Sequence, residues 1–278
     1  KVVAIIQARM SASRLPGKVL LDIQGKPMLQ WGVERVQRAD SIDQVVVATT
    51  DDPSDNPVAE FCQSQGFAIS RGSVQDVLDR YYQAAQNVQA SVVVRITADC
   101  PLIDPQLIDQ AVITLTSSLT DPGPQTAAPL DFIANRLPRP WWRTYPIGLD
   151  TEVFTFAALE RAWMEARKPH QREHVTPFFY EDVPAEELHF SANPVSLATA
   201  QSPRGFMVAL LHHVEELGHQ RWTVDTPEDL ELIRQIATLL PDDEFTWRDV
   251  LELVEKYPEL SQINAQIEHK THLDVDKR

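Results

Sequence analysis

Short, uninterrupted runs of apolar residues constrain the fold of this chain more than any other feature. Such runs occupy residues 2–6 and 45–48, and residues 92–96 are apolar except for Arg95. Runs of this length without polar positions are typical of strands that are covered on both faces. Segments with apolar residues at helical spacing separate them, at residues 28–36 and 74–88. Strands that alternate with helices in this way predict an α/β fold with a parallel, layered sheet.

The other segments carry weaker patterns. Residues 116–129 are rich in Ser, Thr, Pro and Gly and are predicted to form a loop. Residues 130–154 are predicted to form β-structure, and they contain the aromatic residues Trp141, Trp142 and Tyr145. Asp104 and Pro105 predict the start of a helix. Further helices are predicted at 58–65, 156–166, 172–180, 227–240 and 247–256, further strands at 67–69 and 221–224, and a surface tail from about residue 261.

Composition excludes several classes of protein. The 278 residues carry a net charge of -15, which disfavours nonspecific binding to nucleic acid. The sequence has no apolar run of the ~20 residues that a membrane helix needs, and its first residues do not resemble a signal peptide. Its two cysteines, Cys62 and Cys100, do not form a disulfide framework and are expected to pack in the core. We therefore expect a cytoplasmic protein.

Positive charge is concentrated near the N-terminus, in a loop that follows the first predicted strand. Residues 7–18 read QARMSASRLPGK and contain Arg9, Arg14 and Lys18. Ligands of open α/β sheets bind at the carboxyl ends of strands, and these cations suit phosphate oxygens. The loop is not a Walker A motif, because Val19 follows Lys18 where that motif has Ser or Thr. The pattern favours a phosphate-binding loop over a solvated basic loop.

Two aspartates each end a predicted apolar strand. Asp99 follows residues 92–96, and Asp225 follows residues 221–224. Either could simply be a helix-start residue, as Asp104 and Asp229 are expected to be. Together, facing a phosphate loop, they could hold Mg²⁺ between themselves and a triphosphate, since magnesium is commonly bound by one or two carboxylates plus substrate phosphates. Spacing alone leaves both interpretations open.

Three long segments make the chain resemble a known family. QARMSASRLPGKVLLDIQGKPML, RITADCPLIDP and RWTVDTPEDLELI resemble the cytidylyltransferases that include the CMP-sialate and CMP-KDO synthetases, and the spore coat polysaccharide protein SpsF marks the most similar branch. The segments RGSVQDVLDRYYQAA, DFIANRLPR and REHVTPFFY extend the resemblance over nearly the whole chain. It implies a mixed, mostly parallel sheet sandwiched by helices, of the nucleotide-diphospho-sugar transferase type.

The resemblance also implies a domain organisation and partners. One nucleotidyltransferase domain spans residues 1–278, with an inserted β-rich arm at 130–181 for sugar binding and dimerisation and a C-terminal helical extension at 241–278. The expected substrates are CTP and an acidic sugar, the expected cofactor is Mg²⁺, and the expected assembly is a homodimer. Neither nucleic acid nor membrane is an expected partner.

Residue roles follow from the same resemblance, carried over position by position. Arg9, Arg14 and Lys18 match the catalytic triphosphate loop, and Asp99 and Asp225 match the metal ligands. Nucleotide-binding positions are Ala8, Ser11, Ser13, Arg71 and Ser73. Sugar-binding positions are Arg143, Tyr145, Asp150, Glu152, Arg172 and His174.

The expected reaction joins CMP from CTP to a nonulosonic acid of the sialic, legionaminic or pseudaminic type, for surface polysaccharide biosynthesis. KDO-type enzymes carry a Gly-Asp-Glu-Pro-like element where this chain has Ala98-Asp99-Cys100-Pro101, so a carboxylate beside Asp99 is missing. The alternatives are a CMP-KDO synthetase, a glycosyltransferase on a similar fold and a non-catalytic binding scaffold. Glycosyltransferases usually show Asp-x-Asp after a strand, whereas residues 99–101 read Asp-Cys-Pro.

Overall fold

The computed structural model describes residues 1–267 except residues 127, 193–194 and 243. Within these residues, nine strands form one sheet in the order β5-β4-β1-β6-β8-β7-β11-β10-β9. The strands are β1 Val2–Gln7, β4 Gln44–Thr50, β5 Ala68–Gly72, β6 Val92–Thr97, β7 Phe132–Ala134, β8 Glu152–Thr155, β9 His189–Ser191, β10 Leu197–Gln201 and β11 Met207–Leu211. A short hairpin outside this sheet consists of β2 Asp22–Ile23 and β3 Lys26–Pro27.

One half of the sheet is parallel and the other half is mixed. Strands β5, β4, β1 and β6 are parallel neighbours. Strand β8 then runs antiparallel between β6 and β7, so that Glu152 at its start lies opposite Arg95 near the end of β6. The start of β8 therefore lies at the same edge of the sheet as the carboxyl ends of β1 and β6. This confirms the predicted mixed α/β sheet and brings a second polar segment to the predicted ligand edge.

Helices cover both faces of the sheet. They are α1 Met28–Val36, α2 Asn56–Gln65, α3 Val77–Asn87, α4 Pro105–Thr120, α5 Gly123–Thr126, α6 Phe156–Glu165, α7 Pro169–His174, α8 Pro177–Tyr180, α9 Pro227–Leu239 and α10 Trp247–Lys256. Alternate residues of β1 enter two separate hydrophobic cores, with Ala4 and Ile6 in the first and Val3 and Ile5 in the second. In the described part of the chain, no helix is both long and apolar enough to cross a membrane.

Several sequence predictions are corrected. Residues 116–129 were predicted to be a loop, but α4 continues to Thr120 and α5 follows. The Thr hydroxyls in α4 donate to carbonyls one turn earlier, at 2.7 Å for Thr114 to Gln110 and 2.8 Å for Thr116 to Val112, and this satisfies them inside the helix. Residues 221–224 form no strand, since they pair only through one bridge between Arg221 and Ile147.

Residues 130–181, all of which are described, do not form a separate β-rich arm. Their strands β7 and β8 belong to the central sheet, and α6, α7 and α8 make up much of the remainder. Trp141 is 1% exposed and packs in the core of its own chain, while Trp142 is 42% exposed beneath the guanidinium of Arg139. Trp141 therefore gives no support to a dimer interface, and the homodimer stays a prediction. The predicted tail beyond residue 267 lies outside the described residues.

Candidate active site

A cavity of about 290 Å³ opens at the carboxyl ends of β1 and β6. Its walls carry charges of both signs. The cations are Arg9, Arg14, Lys18, Arg80, Arg95 and Arg136, and the acids are Asp99, Asp150, Glu152, Glu173 and Asp225. The remaining lining residues are Gln7, Ala8, Ser11, Ala12, Ser13, Val19, Val77, Thr97, Ala98, His174, Thr176 and Tyr180. Such a cavity suits a ligand that has both anionic groups and hydroxyls.

The basic loop folds back on itself after β1. The backbone N–H of Gly17 donates to the carbonyl of Met10 at 2.8 Å, and the N–H of Met10 donates to a carboxylate oxygen of Asp55 at 2.6 Å. Gly17 has φ of 71°, a left-handed conformation that glycine adopts without steric cost. This closure places Arg9, Arg14 and Lys18 along one wall of the cavity.

Lys18 lies between the two aspartates that the sequence singled out. Its Nζ is 2.9 Å from Oδ2 of Asp99 and 2.8 Å from Oδ1 of Asp225, and it donates to the carbonyl of Val224 at 2.7 Å. Burial alone would lower the pKa of Lys18, but the two carboxylates raise it above the ordinary value. Lys18 is therefore firmly charged, and the two aspartates converge on one point.

Asp225 is surrounded by cations. Its Oδ2 is 2.8 Å from Arg14 Nη2 and 2.9 Å from Arg221 Nη2, while its Oδ1 binds Lys18. Burial would raise the pKa of this carboxyl, but Lys18, Arg14 and Arg221 hold it well below its usual range. Asp225 is consequently ionised at neutral pH.

A buried hydrogen-bond network that includes Arg221 and Asp229 holds Asp225 in position. Arg221 forms two hydrogen bonds of 2.9 Å to the carboxylate of Asp229, which is fully buried. Asn264, in the C-terminal extension, donates to that carboxylate at 2.8 Å and to the carbonyl of Arg221 at 3.0 Å. Asp229 also accepts from the backbone N–H of Asp225 at 2.9 Å and caps α9. The C-terminal extension thus supports a carboxylate of the site.

Asp99 is held next to Asp225 by backbone contacts. Its carbonyl accepts from the N–H of Val224 at 2.8 Å and from the hydroxyl of Thr223 at 3.1 Å. Gly148 allows a further segment to approach, because a Cβ there would lie 2.6 Å from the backbone of Trp222 and Thr223. This close approach brings Asp150 to the same edge of the sheet.

The opposite wall is built on a buried ion pair. Arg95 Nη1 lies 2.8 Å from Oε2 of Glu152, and the hydroxyl of Thr176 donates to the same oxygen at 3.1 Å. Burial would lower the pKa of Arg95, but Glu152 raises it, so the guanidinium stays charged. Nε of Arg95 and Oε1 of Gln7 are buried without a hydrogen-bond partner in the described part of the chain. These two polar atoms are suited to a bound ligand.

The predicted residues divide into two groups. The cavity brings together Ala8, Arg9, Ser11, Ser13, Arg14, Lys18, Asp99, Asp150, Glu152, His174 and Asp225. Five others do not line it, namely Arg71, Ser73, Arg143, Tyr145 and Arg172.

Each residue of the second group has a partner elsewhere. Arg71 donates to the carbonyls of residues 50 and 52, and the hydroxyl of Ser73 accepts from the backbone of residues 75 and 76. Arg143 donates two hydrogen bonds, of 2.7 and 3.0 Å, to the carboxylate of Asp150. Tyr145 packs against the rings of residues 213 and 247. Arg172 binds the carboxylate of Asp76, the residue that precedes α3. Arg143 and Arg172 are therefore placed to orient other residues.

Sequence reasoning missed several lining residues, chiefly Arg80, Arg95, Arg136, Glu173, Thr176 and Tyr180. A signal existed for one of them. Arg95 and Thr97 alternate with apolar residues at the end of β6, so they share a face of the strand. The others come from helices and loops whose orientation the sequence pattern does not fix.

The cysteines have the packing role that was predicted. Cys62 and Cys100 are free and buried. Burial raises the pKa of Cys62 to about 11 and raises that of Cys100 well above its usual value. Neither thiol is a nucleophile at neutral pH, although Cys100 lies next to Asp99.

The donor set fits a metal that is shared with a substrate. Among the described residues, no group of three or more His, Cys, Asp or Glu side chains could hold a metal by itself. Asp99 and Asp225 supply two converging carboxylates that already share one cation, Lys18. Magnesium is bound in this way when substrate phosphates complete its coordination.

A layered α/β sheet with a basic loop after β1 and two converging carboxylates, one after β6 and one just before α9, is typical of a nucleotidyltransferase. The chain belongs to the cytidylyltransferase family, whose model matches residues 3–262.

Known relatives agree with this assignment. The chain is 29% identical to the spore coat polysaccharide biosynthesis protein SpsF of Bacillus subtilis, over 84% of this chain and 85% of that protein. It is 38% identical to the 3-deoxy-manno-octulosonate cytidylyltransferase of Geobacter sulfurreducens, over 42% of this chain and 46% of that protein. The solved structure of a cytidylyltransferase from Leptospira borgpetersenii has a TM-score of 0.78 and 30% identity, and the match covers 97% of this chain and 99% of that one.

Proposed function

We propose that this protein transfers CMP from CTP to the anomeric hydroxyl of an acidic sugar of the nonulosonic type and releases pyrophosphate. One observation carries the proposal. The loop cation Lys18 and the carboxylates Asp99 and Asp225 share one cavity with the Arg95–Glu152 pair and His174. The cavity thus combines a wall suited to a triphosphate with a wall suited to a polyhydroxylated acid.

The loop wall would bind the triphosphate. Arg9 and Arg14 offer planar guanidinium groups that match phosphate oxygens, and Lys18 offers a compact charge. The hydroxyls of Ser11 and Ser13 lie along the same wall and add neutral donors. This set would stabilise the negative charge that builds on the phosphates during transfer.

Asp99 and Asp225 would hold Mg²⁺. When bound, Mg²⁺ would neutralise charge on the phosphate oxygens and orient the triphosphate. In the proposed reaction, the anomeric oxygen of the sugar attacks the α-phosphorus of CTP and passes its proton to water. The bond between the α-phosphorus and the bridging oxygen of pyrophosphate breaks.

The opposite wall would bind the sugar. Arg136 lies about 4.0 Å from the Asp150 carboxylate and supplies a cation for a sugar carboxylate. Asp150 and Glu152 offer acceptors for sugar hydroxyls, and Arg143 and Arg95 fix their orientation. His174, at the end of α7, contributes a further polar group to this wall. Roles at this wall rest on placement in the cavity together with the family resemblance.

The local sequence departs from the pattern of KDO-type enzymes. KDO-type enzymes carry an additional acid next to the metal-binding aspartate, whereas this chain has Cys100, whose thiol is buried and neutral. The site therefore has one negative charge fewer beside the phosphates. We propose a sialic-, legionaminic- or pseudaminic-type acid as the acceptor, for a surface polysaccharide.

A pyrophosphate-release assay tests the proposal. The purified protein is incubated with Mg²⁺, one of the four common nucleoside triphosphates and one sugar at a time. We expect release with CTP and a nonulosonic acid, and little with ATP, GTP or UTP. Equal release with all four triphosphates, or release that needs no sugar, would contradict the proposal.

A further inference from the structure

The ammonium group of Lys18 fills the position where the two carboxylates meet. Its three N–H groups have three acceptors, namely Asp99 Oδ2, Asp225 Oδ1 and the Val224 carbonyl, at 2.7 to 2.9 Å. The Lys18 side chain is 11% exposed, whereas the side chains of Asp99 and Asp225 are 26% and 22% exposed. The ammonium is thus enclosed on the protein side of a pair of acids that faces the cavity.

A divalent cation bridging the same two oxygens could not coexist with this ammonium. Magnesium lies about 2.0–2.1 Å from its oxygen ligands, so it would come into contact with Nζ. Two cations in contact repel strongly and compete for the same lone pairs. A metal that bridges Asp99 Oδ2 and Asp225 Oδ1 therefore requires Lys18 to leave.

We infer that Lys18 is an internal counterion that excludes free metal from the acidic pair until a triphosphate gives it another partner. The inference rests on the proposed roles of Asp99 and Asp225 as metal ligands. Lysine suits this function because its charge lies at the end of a flexible four-carbon stem. The exchange replaces carboxylate partners of the ammonium with phosphate oxygens.

The surroundings of Asp225 allow the exchange. Lys18 binds Oδ1 of Asp225, while Arg14 and Arg221 bind Oδ2. When Lys18 leaves, Arg221 still holds the carboxylate and is itself fixed by Asp229. One oxygen of Asp225 thus becomes available to a metal without loss of the position of the side chain.

The consequence is an obligatory coupling between nucleotide and metal. A metal alone must displace a well-partnered ammonium, whereas a nucleotide–metal complex brings the phosphates that receive it. Such couplings are typically worth 5- to 150-fold in affinity. The free enzyme would then bind divalent metal weakly in spite of its two converging carboxylates.

Two binding measurements test this inference without turnover. In the first, free Mn²⁺ is titrated into nucleotide-free protein and followed by electron paramagnetic resonance. We expect Lys18→Met, and the second variant Lys18→Gln, to bind Mn²⁺ about 5- to 150-fold more tightly than wild type. Arg14→Met is the matched control, because it removes a charge that contacts Asp225 but leaves the bridging position filled. Its gain should stay below about threefold, in line with a partly exposed ion pair.

In the second measurement, CTP is titrated calorimetrically in the presence of EDTA. Lys18→Met should bind metal-free CTP about 10- to 100-fold more weakly, since it lacks a charged phosphate partner. The inference is overturned if neither Lys18 variant gains Mn²⁺ affinity, if Arg14→Met gains as much, or if metal-free CTP binding is unchanged. Absence of pyrophosphate release with every sugar would instead refute the proposed function and leave both titrations interpretable.

Discussion

Arg172 on α7 donates from Nε to Oδ2 of Asp76 at 2.9 Å, and Oδ1 of Asp76 caps the first turn of α3. The same guanidinium donates to the carbonyl of Trp163 at 2.7 Å. One arginine therefore joins the start of α3 to the helix that carries Glu173 and His174 into the cavity. The sequence predicted Arg172 as a sugar contact, whereas the geometry makes it a positioning residue.

We predict that Arg172→Met raises the Michaelis constant for the sugar about tenfold and changes CTP affinity less than twofold. The loss of a charge-assisted hydrogen bond of about 1.5 kcal/mol accounts for this size. Steady-state kinetics with each substrate varied will separate the two constants. Arg172→Lys should recover part of the loss, and an equal rise in the constant for CTP would contradict the positioning role.

The loop cations should matter mainly for CTP. Arg14→Ala removes a guanidinium from the cavity wall, so we expect CTP to bind about 10- to 100-fold more weakly. Calorimetric titration with CTP measures this directly. Lys26→Ala is the control, because Lys26 is a cation outside the cavity lining that pairs with Glu34. If both variants bind CTP as wild type does, the loop is not part of the nucleotide site.

The two aspartates should be needed for metal-dependent turnover. We expect Asp99→Asn and Asp225→Asn each to lower Mg²⁺-dependent activity by at least 100-fold, the order of effect seen when a charged transition-state contact is lost. Activity measured over a range of Mg²⁺ concentrations will show whether added metal restores it. Glu228→Gln removes an exposed acid three residues after Asp225 and should leave turnover unchanged. Near-native activity in either Asp variant would make that aspartate a structural residue.

The hydrogen-bond network of Asp229, which supports Asp225, predicts a pH dependence of stability. Burial would raise the pKa of Asp229, but Arg221 and Asn264 lower it below its usual range. A carboxyl with a lowered folded pKa stabilises the fold above its unfolded pKa of about 3.9, and this contribution is lost as the pH falls further. We therefore expect Asp229→Asn to destabilise the protein at pH 7, with a smaller difference from wild type at pH 3. Urea unfolding at both pH values tests this, and a difference that grows at pH 3 would contradict it.

Much of the fold could be predicted because the central strands carry short runs of apolar residues. Residues 2–6 are apolar throughout and residues 92–96 are apolar except for Arg95, which is typical of strands covered on both faces, and the two segments form the adjacent strands β1 and β6. Helices α9 and α10 carry Thr–Asp capping boxes that mark their first residues. By contrast, the end of α4 was missed because its Thr residues find acceptors within the helix, which composition does not reveal.

Part of the site could be predicted from its position relative to the strands. Asp99 lies two residues after β6, and Lys18 belongs to the loop that follows β1. Arg143 and Arg172 were assigned to the sugar by the family resemblance, but Arg143 binds the nearby Asp150 and Arg172 binds Asp76, which is distant in sequence. Trp141 and Trp142 are neighbours with the same side chain, yet only one of them is buried. Side-chain direction in irregular segments depends on long-range packing that periodicity does not encode.

Phosphorus NMR of the reaction mixture tests the central claim most directly. The protein is incubated with CTP, Mg²⁺ and one acceptor: a nine-carbon nonulosonic acid, KDO or a neutral hexose phosphate. We predict a new CMP phosphodiester signal together with pyrophosphate, formed fastest with the nine-carbon acid, slower with KDO and not with the hexose phosphate. A diphosphate-linked product with the hexose phosphate as the best acceptor, or no CMP phosphodiester with any acid, would contradict the account.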